Sequence, residues 1–393
     1  MDAKSAARER IEEHRDELIA LSHRIHAHPE LGYQEMQSSA WLEEALRDAG
    51  FEVEAGICDL PTAFRARSGS GPLHITICAE YDALPGIGHA CGHNIIAASA
   101  VGAALGAARV AGELGLTVTV LGTPAEEVGN AAGKVLMLER GAFDGTHAAM
   151  MIHPAPYENI TPRLIAGAQF VIRYTGKSAH AAAAPELGIN AADALTVAQV
   201  AIGLLRQHIR GTDRIHGIVT DGGDAPNIVP AHAGARYIVR ADTFAELSEL
   251  IPRVFACFEA GALATGAKLE ISGGDKPYAH VQHDPEMAAL YRANAEVIGR
   301  VFDDNPSVAS TDMGNVSLVI PTIHPMIGID SLPAVNHQPE FTVACATPAA
   351  DRAVLDGAVA MAWTAIDLAQ HAAIRERLLA HAYSAVAVPA FES

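Results

Sequence analysis

Residues Leu73–Asn94 read LHITICAEYDALPGIGHACGHN, an apolar run of strand length, a turn at Tyr81–Pro85, then a Gly-rich loop carrying His89, Cys91 and His93 just before a helix begins. Two more apolar runs follow at Thr117–Thr123 (TVTVLGT) and His147–His153 (HAAMMIH). Between them lie helix-period segments, Asn94–Gly112 and Asn130–Arg140, the second stopped by Gly141. Strands this apolar, alternating with helices, predict an α/β domain whose mostly parallel sheet is covered on both faces. Upstream, Ile11, Leu18, Leu21 and Ile25 recur between charges, which predicts an amphipathic surface helix rather than a secretory signal.

From about Arg163 the pattern changes to period-two alternation in LIAGAQFVIRY. A helix over Ile189–Arg210, strands at IHGIVT and ARYIVRAD, a helix over Ala245–Ala264 and a last strand AKLEIS complete the order βαββαβ. That order is the ferredoxin-like motif, with helices on one face of a four-stranded antiparallel sheet. Its edge strands invite pairing with another subunit. After Gly273–Pro277 α/β character returns, with a helix over Pro285–Val301, a strand over Thr322–Ile329 and a long helix over Pro348–Ala369. The expected division is therefore residues 1–163 and 275–393 for the first domain, with 164–274 inserted into it. A chain of 393 residues is long enough for two domains.

The 46 acidic residues against 27 basic ones give a formal net charge of -19, a field that repels nucleic acid and anionic lipid surfaces. The apolar stretch Ile95–Ala108 falls short of the roughly 20 residues needed to cross a bilayer and is expected to be a buried helix. Five scattered cysteines form no C-x-x-C pair, so a disulfide framework is not expected, and with no export signal the expected location is cytoplasmic.

In an open parallel sheet, ligands bind beyond the carboxyl ends of the strands. Cys91 and His93 follow the first strand, Glu126 and Glu127 the second, and His153 the third; His337 comes from the AVNHQPEF turn after Asp330. Each alone has a plainer reading: the glutamates favour a helix N-terminus, Cys91 is a small buried apolar residue, and His153 and Asp82 belong to turns. Core packing gives no reason for thiol, imidazole and carboxylate to recur at successive strand exits. Such donors suit Zn²⁺, with Mn²⁺ or Co²⁺ as alternatives. Five donors exceed the needs of one tetrahedral ion with an open position, so two divalent ions are expected, with a bridging thiolate or carboxylate. Of the pair Glu126–Glu127, one would ligate while the other takes a proton from the activated water.

The stretches HAHPELGYQE, EYDALPGIGHACGHN, GTPAEE, GKSAHAAAAPELGINAADA, APNIVPAHAGARYIVRAD, STDMGNVSLVIPTIHP and NHQPEF together resemble the aminoacylase and carboxypeptidase G type of two-metal amidohydrolases, metallopeptidase family M20. Within it the chain is most similar to the aminobenzoyl-glutamate hydrolase and dipeptidase-like branch. The resemblance implies that Cys91 bridges the metals and that His93, Glu127, His153 and His337 complete the sites. It implies Glu126 as general base and Asp82 as the group that orients a ligand. The inserted domain would be a dimerising lid, with His180 reaching the partner subunit's site to stabilise the oxyanion, and Asn227 and Arg240 contacting substrate. The expected reaction is hydrolysis of an amide bond in a small N-acyl amino acid, an aminobenzoyl-glutamate-like compound or a dipeptide. The auxin-conjugate hydrolase branch carries CGHDxH where this chain reads CGHNII, which points away from that branch. A non-catalytic binding subunit would not need every ligand and the base. A zinc-dependent dehydrogenase would need G-x-G-x-x-G, a spacing that GIGHACG lacks.

Overall fold

In the computed structural model, which describes residues 2–129, 132–303 and 308–380, the run around Ile75 is a central strand of a six-stranded mixed sheet. The strands are β1 (Glu52–Ala55), β2 (Phe64–Gly69), β3 (Leu73–Ala79), β4 (Leu116–Gly122), β5 (Ala148–Met150) and the short Thr322–Ile323, in the order β1-β2-β4-β3-β5 and then Thr322–Ile323. The last four are mutually parallel, whereas β1 and β2 join antiparallel at one side. The antiparallel side escaped the sequence reading because β2 buries only one face: Phe64 and Ala66 point inward while Arg65 and Arg67 break the apolar run.

Alternation along the central strands feeds two cores. Ile75, Ile77, Val118, Val120 and Met150 join one, packed under α1 (Ala3–Glu13), α2 (Arg15–Ala27), α4 (His93–Ala108) and the helix Pro348–Gln370. Cys78, Leu121, Ala149 and Met151 join the other, under Gly133–Glu139 and Met313–Ser317. A strand buried on both sides has no polar face to show, which is why these runs read as continuous. A further helix, α3 (Met36–Asp48), lies between α2 and β1 in sequence. The expected single N-terminal helix is two, divided at His14. The expected strand Thr322–Ile329 is also two, Thr322–Ile323 in the main sheet and Met326–Gly328 paired with His153–Ala155, because Pro325 offers no N–H to continue the ladder. The start of the expected helix Asn130–Arg140 lies outside the described residues; its described part is Gly133–Glu139.

The chain divides into two units, one from the described residues up to Arg163 and from Val281 onward, the other Leu164–His280. The second unit runs past the Gly273–Pro277 turn because Tyr278 and Gly167 exchange two backbone hydrogen bonds of 2.8 and 3.0 Å. Its antiparallel sheet has the order Lys268–Gly273, Ala166–Thr175, His232–Ala241, Arg214–Asp221. Helices Ala191–Leu205 and Phe244–Thr265 share a core with Phe170, Ile172 and Tyr174. Asn190 caps the first helix and a Thr243–Glu246 capping box starts the second.

Candidate metal centre

Strand exits gather the donors in the first unit. Gly92, left-handed at φ 81°, starts α4 and lets Cys91 and His93 face the His153 segment; a Cβ there would come within 2.4 Å of Pro154 Cγ. The Pro154 carbonyl accepts from His153 Nδ1 at 2.9 Å and from Asn336 Nδ2 at 3.1 Å. That fixes the tautomer of His153, since a ring nitrogen facing a carbonyl must donate, and leaves Nε2 as the ligating atom. The His337 N–H donates to Ala90 O at 2.8 Å, tying its turn to the Cys91 loop.

Two triads result. The donor atoms of Cys91, His93 and His153 all lie within 4.8 Å of one another, as do those of Cys91, Glu127 and His337. The Cys91 thiol belongs to both, 3.4 Å from His153 Nε2 and 3.6 Å from His337 Nε2. Asp82 serves two ligands at once: Oδ1 accepts from His93 Nδ1 at 2.8 Å and Oδ2 from the Glu127 N–H at 2.9 Å. Glu126 Oε2 stands 3.9 Å from His93 Nε2. His89 joins none of these groups and stacks on His26, while Asp330 pairs with Arg352 at 3.1 Å.

The charge balance of this cluster calls for a cation. Burial, then the carboxylates of Glu127 and Glu126, hold the Cys91 thiol well above its ordinary range. Burial, then Glu80, does the same to Glu126. Burial opposes a charge on His93, but Asp82 and Glu80 overcome it and raise the imidazole to about 10. Burial, then the nearby His93, pushes His153 down to about 4. Buried His93 Nε2 and Glu127 Oε1 have no hydrogen-bond partner, an arrangement that costs about 1–3 kcal/mol per neutral group. A divalent ion would satisfy both atoms and reverse the penalty on the thiolate. The sulfur, nitrogen and oxygen donor set fits such an ion.

Sequence reasoning missed the layer behind the ligands. Lys134, wholly buried, donates to Glu80 at 2.5 Å and to Asp312 at 2.6 Å, and its backbone N–H donates to Asp312 Oδ2 at 2.9 Å. Glu80 Oε2 lies 3.4 Å from His93 Nε2. His324, also buried, stacks on His153 with ring centroids 5.5 Å apart. The position of Glu80 at the end of an apolar strand was the available signal; nothing marked Lys134. The second unit carries the remaining predicted residues. His180 and Asn227 are exposed on paired segments, with the Ala181 N–H donating to Asn227 O at 3.0 Å; half-buried Arg240 lies on the strand His232–Ala241.

A thiol shared between two ligand triads, beside a buried carboxylate at the ends of parallel strands, defines a metal-dependent hydrolase. The chain belongs to peptidase family M20/M25/M40, whose model matches residues 77–354. It is 39% identical over 387 residues to the Xaa-Arg dipeptidase of Mus musculus, an alignment covering 93% of this chain and 88% of that one. It is 34% identical over 281 residues to a p-aminobenzoyl-glutamate hydrolase of Escherichia coli (strain K12), covering 66% and 58%. The fold matches that of a dinuclear metal binding peptidase of Bacillus subtilis, with TM-score 0.70, 23% identity and coverage of 91% and 99%. The chain is accordingly an enzyme acting on amide bonds. Among the described residues no helix is long and apolar enough to cross a membrane.

Proposed function

We propose that the chain hydrolyses the amide bond of a dipeptide or small N-acyl amino acid, using two divalent ions, zinc or manganese, held by Cys91, His93, Glu127, His153 and His337. The observation that carries this reading is the single thiol common to both triads, with Glu126 next to them. The dipeptidase relatives, alignable across most of the chain, favour a dipeptide over the aminobenzoyl-glutamate-like alternative. Ions bound there would polarise the scissile carbonyl and acidify a water.

The side chains supply the rest. Asp82 holds His93 with Nε2 turned toward the thiol, as ligating imidazoles require. Glu126 takes a proton from the attacking water and hands it to the leaving amine; its burial makes it a stronger base than an ordinary carboxylate. The second unit acts as a ferredoxin-like lid that also joins two copies in a homodimer. His180 of the partner subunit then stabilises the developing oxyanion, a contribution whose loss costs about 10²–10³ in rate. Asn227 and Arg240 contact the substrate carboxylate or carbonyl, and the enzyme works in the cytoplasm.

Glu126→Gln tests the assignment. Turnover of a dipeptide panel should fall by at least about 10² while metal content stays near that of the parent. Parent-like activity in the variant removes Glu126 from the reaction.

A further inference from the structure

The stretch Glu30–Glu35, ELGYQE, contributes no ligand or base to the metal centre. Its backbone runs beside the Asp82 turn, with Leu31 bridging Ala83 and the Ala83 N–H donating to Glu30 O at 2.8 Å. It also presses on the Glu126 turn, where a Cβ on Gly32 would come within 2.4 Å of Val128 Cγ2 and 3.0 Å of Ala125 Cα. Glu35 itself is wholly buried, unusual for a carboxylate unless its oxygens are engaged. Both are: Oε1 accepts the Ala125 N–H at 2.8 Å and Oε2 the Thr62 hydroxyl at 2.9 Å. Thr62 is anchored in turn, its carbonyl accepting from Tyr81 O–H.

Ala125 has φ 59° and ψ 44°. An alanine disfavours this left-handed state by about five- to thirtyfold in population relative to its usual conformations. The residue stands between β4 and the pair Glu126–Glu127, so its backbone sets where both carboxylates point. We infer that Glu35 is a positioning residue for amide hydrolysis: by accepting the Ala125 N–H it holds Ala125 left-handed and aims Glu126 and Glu127 into the metal centre. The inference rests on the proposed roles of those two glutamates. Glu35 acts only through Ala125.

Three variants test it on the full-length, metal-loaded protein. Glu35→Gln keeps an acceptor for the Ala125 N–H and a donor for the Thr62 hydroxyl, so kcat should stay within about threefold of the parent. Glu35→Ala strands the N–H and should lower kcat at least about tenfold with KM little changed. Adding Ala125→Gly to Glu35→Ala should recover about five- to thirtyfold, because glycine takes φ 59° without steric cost. Amide hydrogen exchange at Ala125 gives a readout independent of turnover: slow in the parent and Glu35→Gln, fast in Glu35→Ala. Parent-like kcat and slow exchange in Glu35→Ala overturn the inference, as does equal loss in the Gln and Ala variants or failure of the glycine to rescue. If Glu35→Ala alone does not fold, the double variant carries the test. Its failure to fold would make Glu35 a general folding residue and end the proposal. A parent inactive on every substrate, with the exchange pattern as expected, would instead count against the proposed substrates and leave the positioning role standing.

Discussion

Asp82 gives one oxygen to an imidazole and the other to the backbone of a carboxylate ligand, so a single buried side chain sets the geometry of both triads. Its own charge survives burial because the facing His93 outweighs the desolvation. The ligands were legible in the sequence because they follow apolar strands directly and no packing argument accounts for them. Lys134, Glu80 and Asp312 were not legible, since a lysine and two acids far apart in sequence look like surface residues until the fold brings them together with no exposure. A separate residue-scale test lies in the second unit. His232 pairs with Asp221 at 2.5 Å and Asp224 at 3.1 Å, and these bonds raise it above 6.5. The stabilisation is therefore complete below pH 6.5 and is lost as pH rises through the raised value. His232→Gln should lower the melting temperature at pH 5.5 but leave it unchanged near pH 9, a small and salt-sensitive difference because the pair is partly exposed.

At the scale of elements, α4 decides how the site is carried. Every residue from His93 to Ala107 is buried, and its small residues let the helix approach its neighbours closely. A Cβ on Gly102 would meet Ala358 Cβ at 2.8 Å and Leu18 Cδ1 at 3.0 Å. Gly102→Leu should therefore destabilise the protein by about 1–3 kcal/mol in urea titration, through overpacking. An unchanged midpoint would mean that the helix pair can separate without cost. The burial of this helix was readable from the Ala- and Gly-rich run Ile95–Ala108. The edge strands β1 and β2 were not readable, because a strand with one wet face and several charges gives no continuous apolar signal.

For the molecule as a whole, the exposed edge strand Arg214–Asp221 is the surface to test for assembly. Ile218 is 63% and Val219 51% exposed at the end of the second sheet, where backbone groups have no neighbouring strand among the described residues. Sedimentation should give a dimer for the parent, and Ile218→Lys should shift it toward the monomer. A parent that sediments as a monomer would remove the proposed oxyanion role of the partner subunit's His180.

One sulfur atom at the junction of both triads also makes the centre indivisible. Emptying either seat frees an anionic sulfur that the other seat had relied upon, so ion uptake is cooperative rather than independent. A thiol-alkylating reagent that enters the vacated cleft disarms both seats in a single covalent event. A filled cleft shields Cys91 from the same reagent, and its labelling rate therefore reports how fully the enzyme is charged with metal.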